Sequence, residues 1–207
     1  MRGRDISRYE YSFADLWLIN THNGIKEYGI PPVDINDYPA IKAHLDTYWD
    51  KLSKRYDKGD TPYNLRNCIY TDDFSKQKII WGEISDKPKF ALDETGEYYV
   101  SNTVFFMTGD NLEYLIAFLN SKLSEYYFSK IATTTGVGTV RWLKYKIEQL
   151  PVPNIKNTKY DKIRQLPILI KIGNENSDKI DDIIFELFSF TSEERKYILN
   201  QISNSSI

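Results

Sequence analysis

Two histidines, a single cysteine and the carboxylates are the groups through which this 207-residue chain could do covalent or metal chemistry, and their spacing supports neither. His22, His44 and Cys68 share no recognisable ligand spacing, so no zinc site is expected. A magnesium nuclease needs acids converging beside a lysine, and the one Glu-x-Lys, Glu194 to Lys196, falls in a helix-like stretch rather than on a core strand. Gly136-Val137-Gly138 lacks the Lys-Ser/Thr ending and the preceding apolar strand of a phosphate loop. The Pro31-Pro32 pair stands between Ile30 and Val33, without the amide and the aromatic ring that amino-group methyl transfer places around a flipped base. A glycine-rich strand-to-helix turn for a methyl donor is missing as well. No catalytic residue, metal ligand or resident cofactor is assigned.

Local positive charge is what the sequence does offer. Overall, 27 basic and 29 acidic side chains give a net charge of −2, which argues against a surface built throughout to neutralise phosphates. Between Lys122 and Lys146, however, the five bases Lys122, Lys130, Arg141, Lys144 and Lys146 meet one acid, Glu125. Within this window runs Thr133-Thr134-Thr135-Gly136-Val137-Gly138-Thr139, whose small side chains let backbone N–H groups approach an anion. The window is the candidate phosphate-facing surface; the plain alternative is a solvated face with lysines spread for solubility.

The elements expected to position it follow from hydrophobic period and punctuation. With 41% hydrophobic residues the chain can bury a real core as one domain, or one domain with an appendage. One cysteine excludes an internal disulfide, and no apolar stretch reaches the roughly 18 residues of a membrane span, so a cytoplasmic chain without a membrane partner is expected. Residues 12–21 read as a strand. Asn36 or Asp37 is expected to cap a long helix with Pro39 in its first turn and Ile41, Leu45, Trp49, Leu52 and Tyr56 on one stripe; Trp17 and Trp49 are expected to pack inside. Strands are predicted at residues 78–81, 90–92 and 98–107, the last two joined by a hairpin turn at 93–96. Asp110 is expected to cap a second long helix bearing Leu112, Leu115, Ile116, Leu119 and Leu123. Helices then follow over residues 159–172, broken at Pro167, over 177–188, and over 192–202 with a capping box from Thr191 to Glu194 and fraying after Asn200. The sum is an α+β fold, with mixed or antiparallel small sheets, two long helices and a C-terminal helical tail. Residues 1–157 are expected to form the main domain and residues 158–207 a helical appendage.

Several segments, in order, carry a resemblance. They are Arg2-Gly3-Arg4-Asp5-Ile6-Ser7-Arg8-Tyr9, Tyr38-Pro39-Ala40-Ile41-Lys42, Leu52-Ser53-Lys54-Arg55, Pro62-Tyr63-Asn64-Leu65-Arg66 and Lys78-Ile79-Ile80-Trp81. Leu119-Asn120-Ser121-Lys122-Leu123, the Gly136 loop and Leu150-Pro151-Val152-Pro153 complete the set. In this order they resemble the C-terminal specificity domain of TaqI-type adenine methyltransferases and related restriction-modification enzymes. Asn64 departs from the pattern, standing where an acidic residue is usual.

The resemblance implies a non-catalytic target-recognition domain that grips double-stranded DNA beside a methyltransferase domain of the same parent chain. It implies an excised piece whose catalytic part, with its S-adenosylmethionine, lies before Met1. Phosphates would be held by Lys130, Arg141, Lys144, the hydroxyls of Thr133, Thr134, Thr135 and Thr139, and the Gly136 and Gly138 backbone. Arg2, Arg4 and Arg8 are a second choice, since Asp5 and Glu10 could pair with them, and Lys54, Arg55 and Arg66 a third. Base edges would be read by loop residues, each good bidentate contact worth about 1–3 kcal/mol. Two other readings stay open: a recognition domain of a type I restriction specificity subunit, for which sustained heptads are expected and missing, and a protein-interaction module marked by exposed apolar surface.

Overall fold

The computed structural model describes residues 1–136, 138–154 and 161–204. It is an α+β chain: among the described residues eight α-helices accompany two small antiparallel sheets of three and two strands. The boundary expected at residue 157 and the helix start expected at Lys159 lie outside the described residues. No helix among those described is long and apolar enough to cross a membrane. The chain forms two compact units, Trp17–Asp72 and the remainder, Met1–Leu16 with Asp73–Ile207.

Polar contacts hold the smaller unit together. Among the described residues Ile35 is its one buried apolar side chain. Asn23 instead donates to Asp60 and Asn67 at 2.9 and 2.8 Å and accepts from the Asp60 N–H at 2.7 Å. Asn64 is as deeply placed: its amide donates to the carbonyls of Val33 (2.9 Å) and His22 (3.4 Å), and its oxygen accepts from the Thr61 hydroxyl. A carboxylate has no hydrogen to give two carbonyls, which accounts for an amide where the resemblance leads one to expect an acid. The helix predicted from Pro39 is two helices, α1 (Pro39–Asp46) and α2 (Trp49–Leu52). It breaks where the Thr47 hydroxyl turns back on the His44 carbonyl, 2.7 Å away. Tyr38, not Asn36 or Asp37, precedes α1, because those two lie in a 3-10 turn that Asp34 caps. Trp17 is 83% exposed and Trp49 43%, so neither is a core residue. Residues 12–20 are not a strand either: a strand exists only where a second backbone pairs with it, and the nearest pairing is an isolated Ile6–Tyr11 bridge.

In the larger unit β1 (Lys78–Gly82) is the central strand, and β2 (Ile84–Ser85) follows it directly. β3 (Phe90–Asp93) and β4 (Val104–Met107) flank β1 on either side, both antiparallel to it. Ile79 and Trp81 pack with Phe90 and Leu92 into the main core, while Ile80, Ala91 and Val104 pack with Ile6 on the other face. Both faces are covered, which is why these strands read as apolar runs instead of alternating. β1 separates β3 from β4, so residues 93–96 are no hairpin turn between neighbours. Asp93 closes that turn by accepting from the N–H groups of Thr95 and Gly96, with Gly96 at φ +70°.

The second long helix is likewise two, α3 (Leu112–Leu119) and α4 (Lys122–Ile131). Asn120 leaves the helix to clamp the Phe90 backbone, accepting from its N–H at 3.0 Å and donating to its carbonyl at 2.9 Å. Ser121 then caps α4 by accepting from Ser124 N–H. Asn111, in the left-handed region, precedes α3 in place of Asp110. β5 (Val140–Arg141) pairs with β2, and α5 (Lys144–Ile147) follows. In the tail, α6 (Leu166–Lys171) holds Pro167 in its first turn rather than breaking there, since proline's missing N–H suits that position. α7 (Ser177–Leu187) and α8 (Ser192–Asn204) complete it, with reciprocal Thr191–Glu194 capping, and α8 continues past Asn200. Leu166, Ile170, Ile180, Ile184 and Ile198 belong to the same apolar cluster as α3 and the sheet.

Candidate nucleic-acid interface

The cationic window folds into three consecutive elements. α4 ends in Ile131, and residues 133–136 and 138–141 pair as the two antiparallel arms of a ribbon. Arg141 N–H donates to the Thr133 carbonyl (3.2 Å), Thr135 N–H to the Thr139 carbonyl (3.0 Å), and the Thr135 and Thr139 hydroxyls bond at 2.6 Å. Gly136 and Gly138 form the tip at φ +83° and +73°, where a side chain would be strained although nothing crowds the space around them. Thr133, Thr134, Thr135, Gly136, Gly138, Thr139 and Arg141 are thus gathered in one ribbon, with Lys130 in the turn before it and Lys144 opening α5 after it.

Trp142 fixes the base of the ribbon. Its ring lies flat on Phe128 of α4, centroids 3.9 Å apart and planes 7° off parallel, and meets Phe90 edge-on at 5.5 Å. Its carbonyl accepts from the Trp81 indole at 2.8 Å and its N–H donates to the Glu83 carbonyl at 2.7 Å. Trp142 thus ties the base of the ribbon to α4 and to the sheet.

The three favoured cations sit on the surface with weak internal partners. Arg141 pairs with Glu83 at 3.0 Å and is half exposed, Lys144 with Glu148 at 3.7 Å, and Lys130 lies 4.8 Å from the Tyr126 ring centroid. Exposed pairs of this kind contribute about 0–1 kcal/mol, so a phosphate can compete for the cations at little cost. Glu83 is a site residue that sequence reasoning misses; nothing in its neighbours foretells an antiparallel β2–β5 pairing that brings it to Arg141.

The arginines of the second group divide. Arg2 is bound through its side chain and its N–H to Asp5, whose carboxyl it holds below the usual range. Arg8 is internal: it donates to the Asn120 carbonyl at 2.6 Å, lies 3.9 Å from Asp181, and its Nε is buried. Arg4 is exposed, and among the described residues its side chain makes no ion pair. Gly3 lies against Gly82, where a Cβ on Gly82 would come 3.2 Å from the Gly3 Cα, so this segment abuts the strand end next to Glu83. In the smaller unit, Arg55 donates to the carbonyls of Asn64 and Pro62 and braces the loop, Arg66 makes an exposed pair with Asp57, and Lys54 is exposed.

The residues set aside as catalytic have structural places. His22 accepts from the Gly24 N–H through Nδ1 at 3.1 Å, and Pro31-Pro32 fills the space a Cβ on Gly24 would need. One acid missed in the sequence is Asp181 of α7, which is buried. It accepts the Lys122 N–H at 2.7 Å, and burial, only partly offset by that bond and by Arg8 and Lys122, pushes its carboxyl up to about 6. An acid whose pKa is raised on folding binds its proton more tightly in the folded chain, so its contribution to stability falls as pH rises from about 4 through about 6. The fall across that interval is at most about 3 kcal/mol. Asp181→Asn is therefore expected to flatten the stability profile over that interval, gaining on the wild type at pH 7.5 and matching it near pH 4; parallel profiles in urea titrations would refute this.

No curated protein matches the chain. The model of the TaqI-like C-terminal specificity domain matches residues 1–152, which takes in both sheets, α3, α4, the ribbon and α5 and ends at Val152 within the Leu-Pro-Val-Pro segment. Such a domain provides target recognition in restriction-modification systems and is not itself catalytic. With most of its length matched, the chain belongs to the family of TaqI-like C-terminal specificity domains.

Proposed function

We propose that this chain is the sequence-specific DNA-binding, target-recognition part of a restriction-modification DNA adenine-N6 methyltransferase. Residues 1–157 form the recognition module and residues 158–207 a helical tail that shares its core. The methyltransferase domain of the parent chain supplies S-adenosylmethionine and the reacting groups; here Ile30-Pro31-Pro32-Val33 lacks the amide and the aromatic ring that grip a flipped base, and its backbone packs against Gly24. The chain's own task is to hold one side of the duplex while an adenine is extruded toward that neighbour. One observation carries the reading: within a specificity-domain fold, Arg141 lies in a glycine-tipped ribbon that Lys130 precedes and Lys144 follows, and all three cations are at the surface, beside Glu83, Glu148 and the Tyr126 ring. Lys130, Arg141, Lys144 and the ribbon threonines hold phosphates, Arg4, Lys54 and Arg66 are further candidates, and Arg2, Arg8 and Arg55 brace the fold.

Duplex binding measured by fluorescence anisotropy across salt tests this. Each phosphate contact contributes a slope of about −0.9 in log affinity against log salt. Arg141→Ala with Lys144→Ala is expected to weaken binding to duplexes of any sequence and to flatten the slope by about 1–2. Affinity and slope equal to the wild type's would sink the assignment of these contacts, and no duplex binding even at low salt would sink the reading itself.

A further inference from the structure

The tail beyond the family-matched residues reaches into the machinery that places the ribbon. We propose that Asp181 is a positioning residue: from α7 it fixes the first turn of α4 and, through α4, the Thr133–Arg141 ribbon. That the ribbon is the DNA-contacting element rests on the reading above.

A helix leaves its first N–H groups without intrahelical partners. At the start of α4 the local cap, Ser121, satisfies Ser124 N–H at 3.1 Å, while Lys122 N–H is satisfied by Asp181, 59 residues away in sequence, at 2.7 Å. A negative charge there also complements the positive end of the helix dipole. The same carboxylate lies 3.9 Å from the Arg8 guanidinium, which donates to the Asn120 carbonyl at 2.6 Å. Asn120 in turn clamps the Phe90 backbone of β3. Asp181 thus joins the tail to the α3–α4 junction, the N-terminal segment and the sheet at one point. The other charged or titratable groups around it are Lys122, Asp178 and Tyr9. From that point α4 runs as a rigid rod to Phe128, which carries Trp142 and the base of the ribbon, and to Lys130.

Hydrogen exchange of the full chain, read on peptides covering residues 121–125, 133–142 and 78–82, tests this together with duplex affinity. Asp181→Ala is expected to speed exchange in the first turn of α4 and in the ribbon by roughly tenfold or more, leaving β1 unchanged, and to weaken duplex binding in parallel. Asp181→Asn keeps a carbonyl oxygen for Lys122 N–H and is expected to restore most of the protection. Ribbon exchange that stays at the wild-type rate while α4 opens would overturn the proposal, as would equal acceleration in β1, which marks general destabilisation. Ribbon exchange that accelerates with no change in duplex affinity would support the positioning role and count against the ribbon as the DNA contact.

Discussion

Asp93→Ala is expected to destabilise the larger unit by about 5 kcal/mol and Lys78→Met by about 3, although the two residues are partners in a single ion pair. Both side chains are fully buried, with Lys78 Nζ 2.5 Å from Asp93 Oδ2 and their Cα atoms directly opposite in the β1–β3 register. Removing one partner of a buried pair leaves the other charge uncompensated, but the remaining partners differ. Without Lys78, the Asp93 carboxylate still accepts from the N–H groups of Thr95, Gly96 and Tyr98 and from the Thr95 hydroxyl. Without Asp93, Lys78 keeps the Phe74 carbonyl at 2.6 Å, and the turn after β3 loses its acceptor altogether. The pair also bears on the ribbon at a distance, because its register places Trp81 opposite Phe90, and both residues contact Trp142 at the ribbon base. Urea denaturation of the two variants and of the double variant measures the asymmetry. Equal losses would refute the asymmetry argued from the remaining partners, and a Lys78 effect under about 1 kcal/mol would show that the pair does not hold the register.

What was legible in the sequence is what period and punctuation encode. Lys78-Ile79-Ile80-Trp81 and Phe90-Ala91-Leu92 became β1 and β3, the Leu112–Leu123 stripe became the buried faces of α3 and α4, and Thr191 with Glu194 formed the expected box. The family was legible because eight weak segments stood in order, and the structure gives several of them a mechanical reason. Leu-Asn-Ser is a helix end, a backbone clamp and a new cap in three residues. Tyr114 of α3 reaches the carbonyl of Pro153 in Leu-Pro-Val-Pro at 3.1 Å. What stayed hidden is what one residue does to another far along the chain. Arg8 is an internal brace because Asn120 lies 112 residues on. A helical stripe says which face is apolar and not whether anything covers it: the stripe expected from Ile41 to Tyr56 is broken between α1 and α2, Trp49 on it is exposed, and Tyr56 lies beyond α2, exposed as well. Asp181 was the most readable of the missed residues, an acid three positions before Ile184 and on its face of α7.

Trp142→Ala is expected to cost about 3–5 kcal/mol and to abolish tight duplex binding, because the same ring supports the core and the ribbon. It is buried, and stacking on Phe128 and edge contact with Phe90 each add about 0.5–1.5 kcal/mol beyond area burial. Losing it frees α4 from β5 at the point where the chain turns into the ribbon. Trp142→Phe separates the two roles of the side chain. The indole N–H of Trp142 is buried and has no acceptor among the described residues, an arrangement that costs about 1–3 kcal/mol. Phenylalanine keeps a ring on Phe128 and removes that donor, and the relief offsets most of the volume lost, so the net change is expected to stay within about 1.5 kcal/mol. The backbone carbonyl that accepts from the Trp81 indole is untouched by either substitution. Urea denaturation and duplex anisotropy on both variants give the comparison. A phenylalanine variant as unstable as the alanine one would mean that the indole N–H has an acceptor after all. An alanine variant that binds duplex normally would mean that the ribbon does not depend on Trp142 for its place.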